Sequence, residues 1–226
     1  MEITFYGHAC FLVELKGKKF LFDPFISGNE LAKDIDIKSI EADYILQSHG
    51  HVDHILDTVS IAKKTKAKVI ANWEIHEWLN KQGISNTHPM NIGGKWKFGE
   101  ITIKCVVAQH SSSLPDGSYG GNSMGFLVMC DEANFYYAGD TALTYDMKLI
   151  PFWCNVDVAF LPIGDNFTMN AQDALTASNF IECNNIVAMH FDTFGFIKVN
   201  QEAVKKLFKA NNKKIKLPQI GESFTL

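Results

Sequence analysis

Tyr44-Ile45-Leu46-Gln47-Ser48-His49-Gly50-His51-Val52-Asp53-His54 is the stretch whose reading decides the fold. A short apolar run empties into a segment that packs three imidazoles and a carboxylate into six residues, His49 to His54. Imidazole and carboxylate are the donors that suit zinc, manganese or iron at neutral pH. Alternate residues of an extended segment point the same way, so His49 and His51 can close on one ion. Asp53 and His54 lie beyond a bend and can face a second ion beside it. The plainer alternative is a polar strand-to-helix loop with Asp53 as its cap. That alternative leaves unexplained why further donors recur downstream in the same setting.

Three more apolar, strand-like runs end in a metal-binding side chain. They are Val106-Val107-Ala108-Gln109-His110, Phe135-Tyr136-Tyr137-Ala138-Gly139-Asp140 and Ile186-Val187-Ala188-Met189-His190. Strand ends in α/β architectures converge on one rim, where ligands gather. A single histidine after a strand is ordinarily a loop residue. Four such endings, one of them H-x-H-x-D-H, point to a common site.

Outward from these runs the chain alternates between two periodicities. Ile3–Tyr6, Phe11–Leu15 and Phe20–Phe22 are strand-like, with Lys16-Gly17-Lys18 as a turn. Ile55–Ala62 has helical spacing, Lys68–Ala71 is a strand, and Glu74–Lys81 is a helix stopped by Gly83. The second half repeats the logic. Strands are expected at Ile101–Val107, Gly125–Met129, Phe135–Tyr137, Val156–Leu161 and Ile186–Met189, and helices at about Asn170–Glu182 and Gln201–Ala210. Each half thus supplies a sheet with covering helices, which predicts an α/β fold of two sheets packed face to face with helices outside.

The 226 residues are expected to form one domain, residues 1–226, and no linker or repeat divides them. With 46% hydrophobic and 20% charged residues and a net charge of −4, nothing draws the chain toward nucleic acid or an anionic membrane. No apolar run approaches the ~18 residues that span a bilayer, and no secretory signal is visible at the start. The five cysteines are odd in number and never form a C-x-x-C pair, which fits buried, reduced thiols of a cytoplasmic protein.

The order H-x-H-x-D-H … H … D … H resembles the metallo-β-lactamase superfamily. Segments along nearly the whole chain are similar to a family of short, uncharacterised bacterial and archaeal metal-dependent hydrolases related to the ascorbate-6-phosphate lactonase type. They include Gly7-His8-Ala9, Phe22-Asp23-Pro24-Phe25, His110-Ser111-Ser112-Ser113, Gly139-Asp140-Thr141, Gly164-Asp165-Asn166-Phe167 and His190-Phe191-Asp192-Thr193-Phe194. The resemblance implies a four-layer αββα sandwich of two mixed sheets with outer helices, and two divalent metal ions between the sheets, zinc or manganese before iron. It assigns His49, His51 and His110 to one metal, Asp53, His54 and His190 to the other, and Asp140 as the bridge. The activity implied is hydrolysis of a small ester, lactone or phosphodiester by hydroxide that the metal pair activates, with Asp53 and Asp140 as catalytic groups. The redox branch of the superfamily carries Glu where this chain has His51, which favours hydrolysis.

Four further residues are candidates for supporting the ligands or binding substrate: His8, Asp23, Asp165 and Asn166. The loop Ser111–Gly121, rich in hydroxyls and glycine, is expected to shape the pocket, whereas His76 and His88 read as surface groups. The expected partner is a small-molecule substrate rather than nucleic acid or membrane, and assembly into a homo-oligomer stays open. Two alternatives remain: a small RNA- or DNA-processing nuclease of the same fold, and a non-catalytic metal protein that binds a metabolite.

Overall fold

The computed structural model describes residues 1–225. They build two seven-stranded sheets. In spatial order the first comprises β14 (Ser223–Thr225), β1 (Glu2–Gly7), β2 (Cys10–Leu15), β3 (Lys18–Phe22), β4 (Tyr44–Leu46), β5 (Lys68–Ala71) and β6 (Thr87–Pro89). The second comprises β13 (Lys214–Lys216), β12 (Asn185–Met189), β11 (Val158–Pro162), β10 (Asn134–Tyr137), β9 (Met124–Met129), β8 (Ile101–Val107) and β7 (Lys95–Phe98). Pairing is antiparallel from β14 through β3 and parallel from β3 to β6. The second sheet follows the same rule, antiparallel from β7 to β10 and parallel from β10 to β13.

Parallel neighbours need crossovers, and helices supply most of them. In the first half these are α1 (Val52–Ile55), α2 (Thr58–Thr65) and α3 (Trp73–Lys81), and in the second α4 (Ala171–Phe180) and α5 (Gln201–Ala210). Between β10 and β11 the chain instead takes 3-10 turns over Tyr145–Phe152. Three helices start on asparagine. The Asn72, Asn170 and Asn200 side chains accept from the backbone N–H of Ile75, Asp173 and Ala203, satisfying donors that a helix start leaves free.

Strand periodicity decides where the core sits. Along β2, Phe11, Val13 and Leu15 join the cluster between the sheets, while Cys10 and Leu12 join the cluster under α1 to α3. β3 and β4 divide the same way, with Phe20, Phe22 and Leu46 inward and Leu21 and Ile45 outward. Rings meet across the two sheets at Phe22–Tyr137 (4.6 Å between centroids) and Phe11–Phe160 (4.9 Å). Phe-to-Ala truncations at such positions typically cost about 3–5 kcal/mol, so these rings clamp the sheets whose rim carries the donors.

The four-layer sandwich of two mixed sheets with outer helices is therefore the fold the chain adopts. Two details depart from expectation. The helix read over Ile55–Ala62 is split into α1 and α2, because the Asp57 carboxylate turns back to accept from Ile26 N (2.7 Å) and Ser27 N (2.9 Å). The edge strands β6, β7, β13 and β14 carry no expectation from the sequence. Among the described residues no helix is long and apolar enough to cross a membrane.

Candidate metal centre

β4 delivers Ser48 and His49 to the rim, His51 is still extended, and α1 begins at Val52. Asp53 and His54 therefore lie in the first helical turn, past the bend. His49 Nε2 stands 3.0 Å from His51 Nδ1. With His110, just beyond β8, they form a group whose donor atoms all lie within 4.8 Å of one another. A second such group contains His8, Asp53, His54 and His190, the last just past β12.

Asp140 stands between the groups. Its Oδ2 is 3.0 Å from His190 Nε2, 3.3 Å from His54 Nε2 and 3.6 Å from His110 Nε2. It reaches this point because Gly139 turns the chain with φ +63°, where a side chain would be strained. A Cβ there would also stand 3.0 Å from Ser48 Cβ and Met124 O.

Burial dominates the protonation of the first group. It holds His49 well below the usual imidazole range and lowers His51 and His110, so these rings are neutral donors. For His54 burial pulls the same way, but the carboxylates of Asp140 and Asp23 outweigh it and hold the ring well above that range. Burial likewise opposes ionisation of Asp140, and His190 and His54 together overcome it, leaving the carboxyl well below its usual range.

Asp23 anchors the first-sheet donors. Fully buried at the end of β3, it accepts from Ser48 N (2.7 Å), the Ser48 hydroxyl, Tyr137 Oη (2.8 Å), Gln47 Nε2 (3.2 Å) and His54 Nδ1 (3.0 Å). A carboxylate only accepts, so His54 Nδ1 donates to Asp23 and Nε2 faces Asp140, where a bound cation would replace the proton that the two carboxylates otherwise hold on the ring. The Ser48 oxygen in turn accepts from His49 Nδ1 at 2.9 Å, which directs His49 Nε2 into the site.

His8 is placed differently. Burial, with His190 beside it, pushes its pKa down to about 4, so the ring is neutral. Its Nε2 donates to Asp53 Oδ2 at 3.1 Å, and its Nδ1 accepts from the Thr193 hydroxyl at 3.0 Å. Both nitrogens are thus engaged, and His8 holds Asp53 rather than offering a free donor. Despite burial, the contacts with His8 and His54 keep Asp53 ionised well below the ordinary carboxylate range.

Whether these residues fit metal ions can be tested on their own bonding. His54 Nε2 and Asp140 Oδ1 are fully buried without a hydrogen-bond partner. Buried polar atoms are rarely left so, and two of them within a cluster of imidazoles and carboxylates are what divalent cations would satisfy. The residues fit.

The site opens into a cleft of about 750 Å³. His51, Asp53, His110, Asp140 and His190 form its floor, and Phe167, Phe194 and Phe196 form its apolar walls. Of the four supporting candidates, His8 and Asp23 pack against the donors. Asp165 and Asn166 do not line the cleft; both are exposed, in left-handed conformation, and shape the turn that presents Phe167. The Ser111–Gly121 loop also differs from expectation, since only Ser111 lines the cleft. Ser112 instead accepts from Gly50 N (3.1 Å) and donates to Gly120 O (2.9 Å), buttressing the histidine motif from behind. His76 and His88 lie apart from the site, His76 bonded to Thr87. Sequence reasoning missed the phenylalanine walls, whose only signal is aromatic residues next to Asp165-Asn166 and His190.

The family description "Beta-lactamase superfamily domain" matches residues 2–190. A "UPF0173 metal-dependent hydrolase" of Flavobacterium johnsoniae is 54% identical over 226 residues, covering 100% of both chains. A novel metallo hydrolase from the hyperthermophilic archaeon Ignicoccus hospitalis superposes with TM-score 0.89 at 31% identity, covering 100% of this chain and 98% of the other. An isothiocyanate hydrolase from Delia radicum gut bacteria has TM-score 0.79 at 19% identity, covering 100% and 99%, a likeness of fold alone. With the donor cluster at the rim of a two-sheet sandwich and relatives that match end to end, the chain belongs to the UPF0173 metal-dependent hydrolases of the β-lactamase superfamily.

Proposed function

We propose that this protein hydrolyses a small ester, lactone or phosphodiester at a centre of two divalent cations, zinc or manganese. His49, His51 and His110 would hold one, Asp53, His54 and His190 the other, with Asp140 shared. The observation that carries this reading is Asp140, within 3.0–3.6 Å of three imidazoles while its Oδ1 and His54 Nε2 have no partner. When bound, such ions supply Lewis acidity, bringing the pKa of water from ~15.7 toward ~7 and polarising the electrophile. The chain's own contribution is orientation and proton handling. Asp23 and Ser48 fix the rings of His54 and His49, and His8 fixes Asp53 through Oδ2. The Asp53 carboxylate so held would both bind its cation and take a proton from the attacking water, passing it to the leaving group.

Elemental analysis of protein purified without chelator tests the reading, and about two divalent metals per chain are expected. The zinc-loaded protein should then cleave at least one member of a panel of esters, lactones, phosphodiesters and, given the fold shared with the isothiocyanate hydrolase, isothiocyanates. Absence of transition metal together with no uptake of added zinc or manganese would remove the centre. Turnover seen only with iron and an electron donor would replace hydrolysis by redox chemistry.

A further inference from the structure

The cleft above the donors is walled by three phenylalanines that the fold leaves uncovered. Phe167, Phe194 and Phe196 are 52%, 37% and 77% exposed, and all three line the same cavity. Phe194 packs edge-on against His8 at 5.3 Å, and Phe167 meets Phe196 edge-on at 6.4 Å, so the walls continue from the rings around the donors to the mouth. Exposed apolar surface gathered in one concavity marks a ligand site more often than it marks solvent-facing skin.

The charges of the cleft are equally specific. No lysine lines it, and its only ionisable groups besides histidine are Asp53 and Asp140. Lys198, two residues beyond Phe196, is exposed and outside the lining. The chain contains no arginine at all, since every one of its 21 basic residues is lysine. Arginine is the side chain whose planar fork grips phosphate and carboxylate in two-point fashion. An anionic substituent remote from the reacting bond would therefore face three phenyl rings with no cationic side chain to meet it. Seating a charge on these rings would strip part of its water with no partner beside it, while the cations that the floor would hold are taken up by the reacting group.

We infer that the substrate is uncharged away from the bond that breaks, and carries an aliphatic or aromatic group that seats on Phe167, Phe194 and Phe196. A phosphorylated or carboxylated metabolite does not match this cleft. The inference rests on the hydrolase reading of the site, and it makes the three phenylalanines specificity-determining residues.

The test keeps the leaving group constant. The zinc- or manganese-loaded protein is assayed on p-nitrophenyl hexanoate and on the p-nitrophenyl monoester of glutarate, which differ in the charge at the far end of the acyl chain. Hexanoate should be preferred in kcat/KM by about tenfold or more, the range set by apolar-pocket discrimination. Phe196→Ala and Phe194→Ala should erode the preference chiefly through KM, and Phe196→Lys should shift it toward glutarate. Phe196 is largely exposed, so its variants are expected to fold. A second readout does not depend on turnover: fluorescence titration with the neutral aromatic probe N-phenyl-1-naphthylamine, whose affinity should fall in the Phe194→Ser/Phe196→Ser variant. Hydrolysis of both esters at equal rates, unaffected by the phenylalanine variants, would overturn the substrate class while leaving the hydrolase reading intact. If neither ester is cleaved but the probe binds and is lost in the double variant, the apolar cleft is supported and the hydrolase reading is what suffers. A probe that ignores the cleft overturns the inference.

Discussion

The two sheets contribute to the same rim in different ways. On the first-sheet side, Asp23 gathers donors from Gln47, Ser48, His54 and Tyr137, and through Ser48 it also sets His49. On the second-sheet side, Asp140 Oδ1 and His190 Nδ1 are buried with no hydrogen-bond partner. Left-handed backbone occurs on both sides, at His190 (φ 53°) and at His8 (φ 56°) and Asp23 (φ 39°), a strain that non-glycine residues adopt only where the surroundings impose it. The first sheet thus orients its rings largely through Asp23 and leaves His54 Nε2 open, whereas the second presents Asp140 and His190 with buried atoms that no comparable group supports, and a cation would complete the bonding on both sides. Metal sites owe much of their affinity to the groups that orient the ligands, and here those groups are concentrated on one side.

This contrast ranks the effects of substitutions. Asp140→Ala should be the most damaging, because it removes the carboxylate standing between both donor groups. We expect kcat/KM to fall by about a thousandfold, equivalent to several kcal/mol, with metal content reduced in parallel. His76→Ala, remote from the rim, should serve as an unaffected control. Equal activity in the two variants would remove Asp140 from the centre. Asp23→Ala leaves every proposed ligand in place yet should weaken metal affinity by about 10–100-fold in chelator competition. It should also lower stability by roughly 1–3 kcal/mol, because buried donors lose their acceptor. An unchanged affinity would mean that the first-sheet rings do not depend on Asp23.

His8→Ala sharpens the distinction between a ligand and a residue that positions one. Because both His8 nitrogens are already engaged, the variant should retain its full metal content while kcat falls by about tenfold, as the support for Asp53 is lost. Loss of one metal equivalent would make His8 a ligand instead. The smallest effect belongs to Tyr137→Phe, which deletes one of several donors to Asp23. Thermal unfolding should report a loss of about 1 kcal/mol, with metal affinity changed less than that of Asp23→Ala. A larger drop would show that Tyr137 is the principal support of Asp23.

How far the chain could be read in advance follows from where each signal resides. The rim donors were legible because an apolar strand followed closely by imidazole or carboxylate is a local pattern, repeated at His49, His110, Asp140 and His190. The alternation in β2 to β4 likewise reports directly on the two faces. Asp23 was only half legible, since one of its donors, Tyr137, lies 114 positions away. Edge strands gave still less. Lys95, Trp96 and Lys97 of β7 are exposed, so no buried face imprints a periodicity, and β14 pairs with β1 from the opposite end of the chain. The phenylalanine walls were missed for a related reason: a ring on a loop has no periodic neighbours to mark its direction. Asp165 and Asn166 were candidates on sequence position alone, and the structure places them outside the cleft lining, on the left-handed turn before Phe167.

Anomalous diffraction from crystals of the protein loaded with zinc or manganese tests the two-cation centre most directly. Two peaks are expected at the rim, one among His49, His51 and His110 and the other among Asp53, His54 and His190, with Asp140 touching both. A single peak, a peak bound by His8 in place of Asp140, or metal found only away from this cluster would contradict it.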